Sequence, residues 1–199
     1  AAYHLFGYLK DKDKVKMVFD YRQPDVDESA FKQNCDWKAF YGDVEEELPS
    51  QMPEALGYAV TTHVFVDSNH AGNVVTRRSH TGILIFMNKA PIMWFSKRQN
   101  TVETSTFGSE FIAMKIAKEM IVALRFKLRM FGIPIEGPTN VYCDNEGVVK
   151  NTSIPEAVLG KKHLSIAYHT VREAVAPRIM RVGKENTLTN LVDLFTKCL

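Results

Sequence analysis

The sequence predicts an α/β fold built on a mixed β-sheet, and three observations carry that expectation. Residues 63–69, HVFVDSN, read as a buried strand, because Val64, Phe65 and Val66 form an unbroken apolar run of the kind covered on both faces. Residues 81–88 and 90–96, TGILIFMN and APIMWFS, are two more apolar runs joined by a tight turn around Asn88 and Lys89, so the first three strands are expected to be antiparallel neighbours. A long amphipathic helix then precedes TNVYCDN (139–145), a strand that can lie parallel to the first through a crossover.

Ahead of this core, residues 1–11 read as a short helix with Leu5, Tyr8 and Leu9 on one side, and KVKMVFDY (14–21) as a strand. YRQPDVDES, with Pro24 and several acids, is a linker or turn. Residues 28–48 are acidic but rich in aromatics, which argues against disorder; an irregular segment packed on the main body is expected. ELPSQMPEALG (47–57) carries two prolines and a glycine and reads as a second linker. The domain boundary therefore falls near residue 58, with 1–57 before it and the α/β domain at 58–199.

Within that domain a polar loop, SNHAGNVVTRRSH, follows the first strand. After the hairpin, TSTFGSE (104–110) supplies an N-cap for a helix from about Phe107 to Phe131, stopped by Gly132 and Pro134. Its apolar row is Ala113, Met114, Ala117, Met120, Ile121, Leu124, Leu128 and Phe131. Trp94 and the helix methionines read as core rather than as a stacking platform. EGVVKNT (146–152) is a short helix, IPEAVLGKKHLS a loop with a basic tip, IAYHTVREAVA (166–176) a helix, IMRVGKE (179–185) the last strand and TNLVDLFTKCL (189–199) a terminal helix.

Composition sets outer limits. The chain has 199 residues, 45% apolar and 24% charged, enough for one full core and typical of a globular protein. No apolar run reaches the roughly 18 residues that span a bilayer. The start, AAYHLFGYLKDKDK, lacks the apolar region of a signal peptide and an initiator Met, so a piece of something longer is expected. With a net charge of +2, bulk charge does not argue for a nucleic-acid partner; local clusters must. Cys35, Cys143 and Cys198 have no zinc-type spacing and read as reduced thiols of an intracellular protein.

Four acids stand out. Asp67 appears where the first apolar run stops, and a carboxylate at the tip of a central strand is costly unless something there needs charge. Glu110 falls on the buried row of the long helix, in its first turn; Asp144 ends the parallel strand, where open α/β sheets bind ligands; Asp193 lies near the start of the terminal helix. Each alone has an ordinary explanation: a loop residue, a helix-dipole charge, an Asx turn, a surface acid. As a set they repel one another and raise at least one pKa unless a cation joins them. Hard divalent cations take oxygen ligands, and two of them held by shared carboxylates serve phosphodiester cleavage.

The motifs VDSNHAG (66–72), RRSHTGILIF (77–86), WFSKRQNTVETSTFGSEFIAM (94–114), VYCDN (141–145), KKHLSIAYHTVRE (161–173) and NLVDLFTK (190–197) resemble the ribonuclease H domain at the C-terminal end of the polyprotein of Ty1/copia-type LTR retrotransposons. The match spans about residues 63–199, and HLFGYLK (4–10) resembles the end of the preceding reverse-transcriptase connection, of which residues 1–57 would hold a remnant. The resemblance implies an RNase H-like fold, a five-stranded mixed sheet with helices on both faces. It implies cleavage of the RNA strand of an RNA–DNA hybrid with two Mg2+ or Mn2+ ions, with Asp67, Glu110, Asp144 and Asp193 as catalytic and metal-binding acids. Asp67 and Asp144 would hold the attacking water, and Glu110 and Asp193 would complete the metal shells. It further implies as partners the hybrid and the adjoining reverse-transcriptase domain, no membrane, and a location in the cytoplasm within a virus-like particle, or in the nucleus, rather than secretion.

Substrate phosphates would meet Arg77, Arg78, Lys97, Arg98, Lys161 and Lys162, with Ser79 and Asn145 as polar contacts, and backbone and 2′-OH contacts in place of base readout. His163 and His169 resemble the family's paired positions, and both a substrate role and a packing role stay open for them. The chain departs from the family at Asn69-His70-Ala71-Gly72, where Asp-Trp-Ala-Gly is usual, and at Val192, where a small residue is usual. Residues 178–192 contain no His, unlike the loop of cellular RNases H. Segment 24–58 is longer than the family pattern. Two other readings compete: a degenerate or domesticated copy that binds nucleic acid or protein without cleavage, and, less well matched, another nuclease of the same fold such as an integrase.

Overall fold

The computed structural model describes residues 7, 10–14, 16–31 and 35–196. Its centre is a five-stranded mixed sheet in the order β3-β2-β1-β4-β5. β1 (Thr62–Asn69), β2 (His80–Met87) and β3 (Ala90–Arg98) pair antiparallel; β4 (Thr139–Cys143) and β5 (Met180–Lys184) continue parallel to β1. The β2–β3 turn is tight because Asn88 takes a positive φ of 54°, a conformation Asn tolerates; its side chain also accepts from the Thr61 N–H.

Helix α2 (Thr106–Met130) is the crossover between β3 and β4, and the side-chain oxygen of Ser105 accepts from the Gly108 N–H as its N-cap. Its row Phe111, Ala113, Met114, Ala117, Ile121, Leu124 and Leu128 is buried, and it packs on Val64 and Val66 of β1 and Ile83 and Ile85 of β2. Phe131 does not extend that row: it follows the helix end as its C-cap and is exposed. α3 (Glu146–Ser153) and α4 (Ser165–Val175) complete this layer, the latter through Ala167, Tyr168, Val171 and Ala174. Side chains alternate along a strand, so Phe65 and Asp67 point to the opposite face from Val64 and Val66. That opposite face carries the short α5 (Asp193–Thr196); the side chains of its Thr196 and of Val192, the residue before it, would lie 2.7 and 2.5 Å from a Cβ on Gly82. Helices thus cover both faces, one of them lightly.

The acidic, aromatic segment wraps this body as a strap. Phe31 forms an antiparallel bridge to Gly183, and its ring lies where a Gly183 side chain would be. Trp37, just before α1 (Lys38–Tyr41), joins the core and covers the guanidinium of Arg172 at 4.7 Å. Arg172 is only 2% exposed and donates to the carbonyls of Asn151, Ile154 and Pro155, fixing the turn after α3. Glu46 accepts four bonds of 2.5–2.8 Å from Arg125 and Arg129 of α2.

Several expectations need correction. Residues 16–21 form no strand; Met17, Val18, Phe19 and Tyr21 are exposed. Trp94 is 57% exposed, because its position on β3 turns it to the lightly covered face, in register with Leu84, Phe65 and Tyr142. In the described part of 189–199 only Asp193–Thr196 is helical; a turn built on Asn190 precedes it, with the Asn190 side-chain oxygen accepting from the Val192 N–H. The 1–11 helix residues Leu5, Tyr8 and Leu9, and Cys198, lie outside the described residues. Cys35 and Cys143 are free thiols.

Candidate active site

Parallel pairing sets the first two acids side by side. Val66 of β1 is in register with Cys143 of β4, so the next residues along the two strands are Asp67 and Asp144. Glu110 reaches this end from α2. It is the fifth residue of that helix, past the first turn, so the helix dipole does little for it and burial dominates. Asp193 arrives as the first residue of α5.

The electrostatics tie the four together. Burial, opposed by the Thr196 hydroxyl and reinforced by the charges of Asp144 and Asp193, pushes the Asp67 carboxyl up. Burial also pushes Glu110 up, to about 7, with Asp144 and Asp67 adding to it and hydrogen bonds from Asn145 and Cys143 working against it. Asn145 does double duty here, because its side-chain oxygen also caps α3 by accepting from the Val148 N–H. Oxygen and sulfur donors of Glu110, Cys143 and Asp144 lie within 4.8 Å of one another. The Cys143 thiol, 3.9 Å from Glu110 Oε2, is pushed well up by burial and by the neighbouring carboxylates, so it stays protonated and donates. The Thr196 hydroxyl donates to Asp67, and Lys184 donates to the backbone carbonyl of Asp144.

The expected substrate contacts divide. Arg77 and Arg78 stand in the β1–β2 loop and Lys97 and Arg98 end β3, all at the sheet end that carries Asp67. Lys97 and Arg98 are exposed there. Lys161 donates to Ser105 and the His163 ring bonds Glu103 at 3.1 Å, so both fasten their loop to the start of α2, while Lys162 is exposed. Ser79 is not a solvent-facing contact: it is fully buried and its hydroxyl accepts from the Ala71 N–H, shaping the loop instead. His169 is drawn away by the strap, where its Nδ1 meets the Tyr41 hydroxyl at 2.9 Å. Sequence spacing did not single out Thr196 or Cys143. A hydroxyl three residues after Asp193 was the signal for the first.

Solved structures with this architecture are RNase H domains. An N-terminal RNase H domain from Mycobacterium tuberculosis superposes with TM-score 0.53 at 12% identity, covering 69% of this chain and 91% of that one. LC11-RNase H1 in complex with an RNA/DNA hybrid gives 0.54 at 16% identity, covering 68% and 93%. In sequence, the Pol polyprotein from transposon TNT 1-94 of Nicotiana tabacum is 34% identical over 134 residues, and those from transposons RE2 and RE1 of Arabidopsis thaliana are 28% and 29% identical over 141. The chain's homologues are Ty1/copia-type, retrovirus-related Pol polyproteins.

The matches cover 67–71% of the chain but only 10% of each of these Pol polyproteins. A Secreted RxLR effector protein 161 of Plasmopara viticola also matches, at 35% identity over 65 residues, 33% of this chain and 46% of that protein. No family model matches. The fold is RNase H-like. Among the described residues, no helix is long and apolar enough to cross a membrane.

Proposed function

We propose that the chain is a divalent-metal-dependent endonuclease that hydrolyses the RNA strand of RNA–DNA hybrids during reverse transcription of a retrotransposon. The observation that carries this is the meeting of Asp67, Glu110, Asp144 and Asp193 at the strand ends of an RNase H-like sheet, with burial first and the neighbouring carboxylates after it raising two of them. At neutral pH such a set either keeps a proton or is relieved by a cation. The donors fit Mg2+ or Mn2+: they are carboxylate oxygens, and the one sulfur nearby stays protonated. Two ions bound there would supply an activated water and charge stabilisation for the leaving alkoxide.

The rest is done by the chain. Asp67 and Asp144 orient the attacking water, Glu110 and Asp193 complete the acid set, and Asn145 holds Glu110 in place. Arg77, Arg78, Lys97 and Arg98 meet backbone phosphates, and Lys162 extends that contact. The partners are the hybrid and an adjoining reverse-transcriptase domain, and the location is cytoplasmic, in a virus-like particle, or nuclear. The division near residue 58 belongs to the same proposal, with the strap as the link to what precedes.

The test is cleavage of a labelled RNA–DNA hybrid with Mg2+ or Mn2+, beside an Asp144→Asn control. RNA-strand cuts that vanish in the control are expected. A second reading is a degenerate or domesticated module that binds nucleic acid or protein without cutting, as the departures at Asn69-His70 and Val192 from the family pattern allow. Hybrid binding that weakens with salt but yields no cleavage by an intact chain would select it.

A further inference from the structure

We propose that Gln99 is a positioning residue that fixes the start of α2, and with it Glu110, against the sheet end carrying Asp67; this rests on the metal-nuclease reading above. Gln99 follows β3 by one residue and is 4% exposed. Its backbone N–H donates to the Ser79 carbonyl at 2.8 Å. Its side-chain Nε2 donates to Thr81 Oγ1 at 2.9 Å and to the Ser109 carbonyl at 2.8 Å.

Each partner leads to the site. Ser79 closes the loop that leaves Asp67, through its hydroxyl and the Ala71 N–H. Thr81 precedes Gly82, the register partner of Asp67. Ser109 precedes Glu110 in the chain. Gln99 therefore joins the loop, through its backbone N–H, to the strand and the helix, through its side-chain amide, and the relative placement of these elements sets the separation of Asp67 and Glu110.

The chemistry of the contact requires an amide. The Ser109 carbonyl can only accept, which fixes Nε2 as the group facing it. A hydrocarbon of equal length would fill the space and donate nothing, and a carboxylate would turn acceptor against acceptor. The amide oxygen Oε1 is buried and has no partner among the described residues. A half-satisfied buried amide is a poor choice for stability alone, since an apolar side chain would leave no orphan. Its value is geometric.

The experiment uses the full chain as wild type, Gln99→Met and Thr81→Val. Mn2+ binding is read by electron paramagnetic resonance, hybrid cleavage by kinetics and folding by thermal melting. Gln99→Met is expected to fold, to weaken Mn2+ binding about tenfold and to lower kcat about as much, with KM for the hybrid unchanged. Thr81→Val, which removes one of the two acceptors, is expected to move Mn2+ affinity the same way by less. A folded Gln99→Met with wild-type Mn2+ affinity overturns the proposal, as does a change confined to KM. If Gln99→Met does not fold, a folded Thr81→Val with wild-type affinity overturns it instead. A wild type that binds no Mn2+ sinks the metal reading and this inference together; equal binding by wild type and variants sinks this inference alone.

Discussion

The hydroxyl of Thr196 donates to the carboxylate of Asp67, joining residues 129 positions apart. Asp193 and Thr196 are three apart on α5 and so share a face. The last acid and the hydroxyl reach the sheet together, over Gly82, whose missing side chain gives them room.

Thr196→Val keeps the shape and removes the donor. Asp67 is then left as a buried acceptor without that bond, and a loss of about 1–3 kcal/mol in urea unfolding at neutral pH is expected. Cleavage should fall roughly tenfold as Asp67 takes up a proton more readily. Thr196→Ser, which restores the hydroxyl, should recover most of both. A valine variant with unchanged stability and rate would show that the bond is incidental.

Glu110 gives a pH signature in metal-free protein. Burial and the charges of Asp144 and Asp67 raise its carboxyl from 4.5 to about 7, so the folded chain holds this proton more tightly than the unfolded chain. The resulting penalty on stability is absent below pH 4.5, grows as pH rises to 7 and is complete above that. Glu110→Gln should therefore be more stable than wild type by about 3 kcal/mol at roughly pH 8 in chelator, and no more stable at about pH 4. Adding Mg2+ at the higher pH should narrow or reverse the gap, because a ligand of the folded state stabilises it by mass action. Denaturant titrations at the two pH values, with and without Mg2+, check both points.

Glu46 should behave in the opposite sense. Burial raises its carboxyl, but Arg125 and Arg129 more than reverse this and hold it at about 2, below its ordinary 4.5. Its contribution is complete above pH 4.5 and is lost as pH falls towards 2. Glu46→Gln is expected to cost about 3 kcal/mol at neutral pH, since it strips the carboxylate from a nearly buried Arg125. The difference from wild type should shrink steadily in melts run at lower pH; a constant difference would rule out the charge as its source.

The central strands were legible because each is a short apolar run between turn residues, and α2 because its apolar row recurs at helical spacing between a cap and a stop. The four candidate acids stood out in the sequence for a related reason: each interrupts or ends an apolar stretch. What lay hidden depended on contacts that sequence spacing does not carry. Ser79 read as a polar substrate contact, but it is buried and bonded to Ala71, and His169 stayed open between substrate and packing roles, which its bond to Tyr41, 128 positions away, draws towards packing. Trp94 sits in an apolar run that says nothing about which face each residue takes. The 14–21 stretch had strand composition, but residues 16–21 found no strand to pair with.

The bridge between Phe31 and Gly183 has a consequence for handling the protein. β5 is the outermost strand on its side of the sheet, and its free margin offers unpaired backbone groups to any extended peptide. Phe31 occupies that margin from within the same molecule, as a gatekeeper. A chain trimmed at residue 58 would keep every acid yet bare this margin and the side of Arg172 that Trp37 shields, and it would be prone to self-association in concentrated solution.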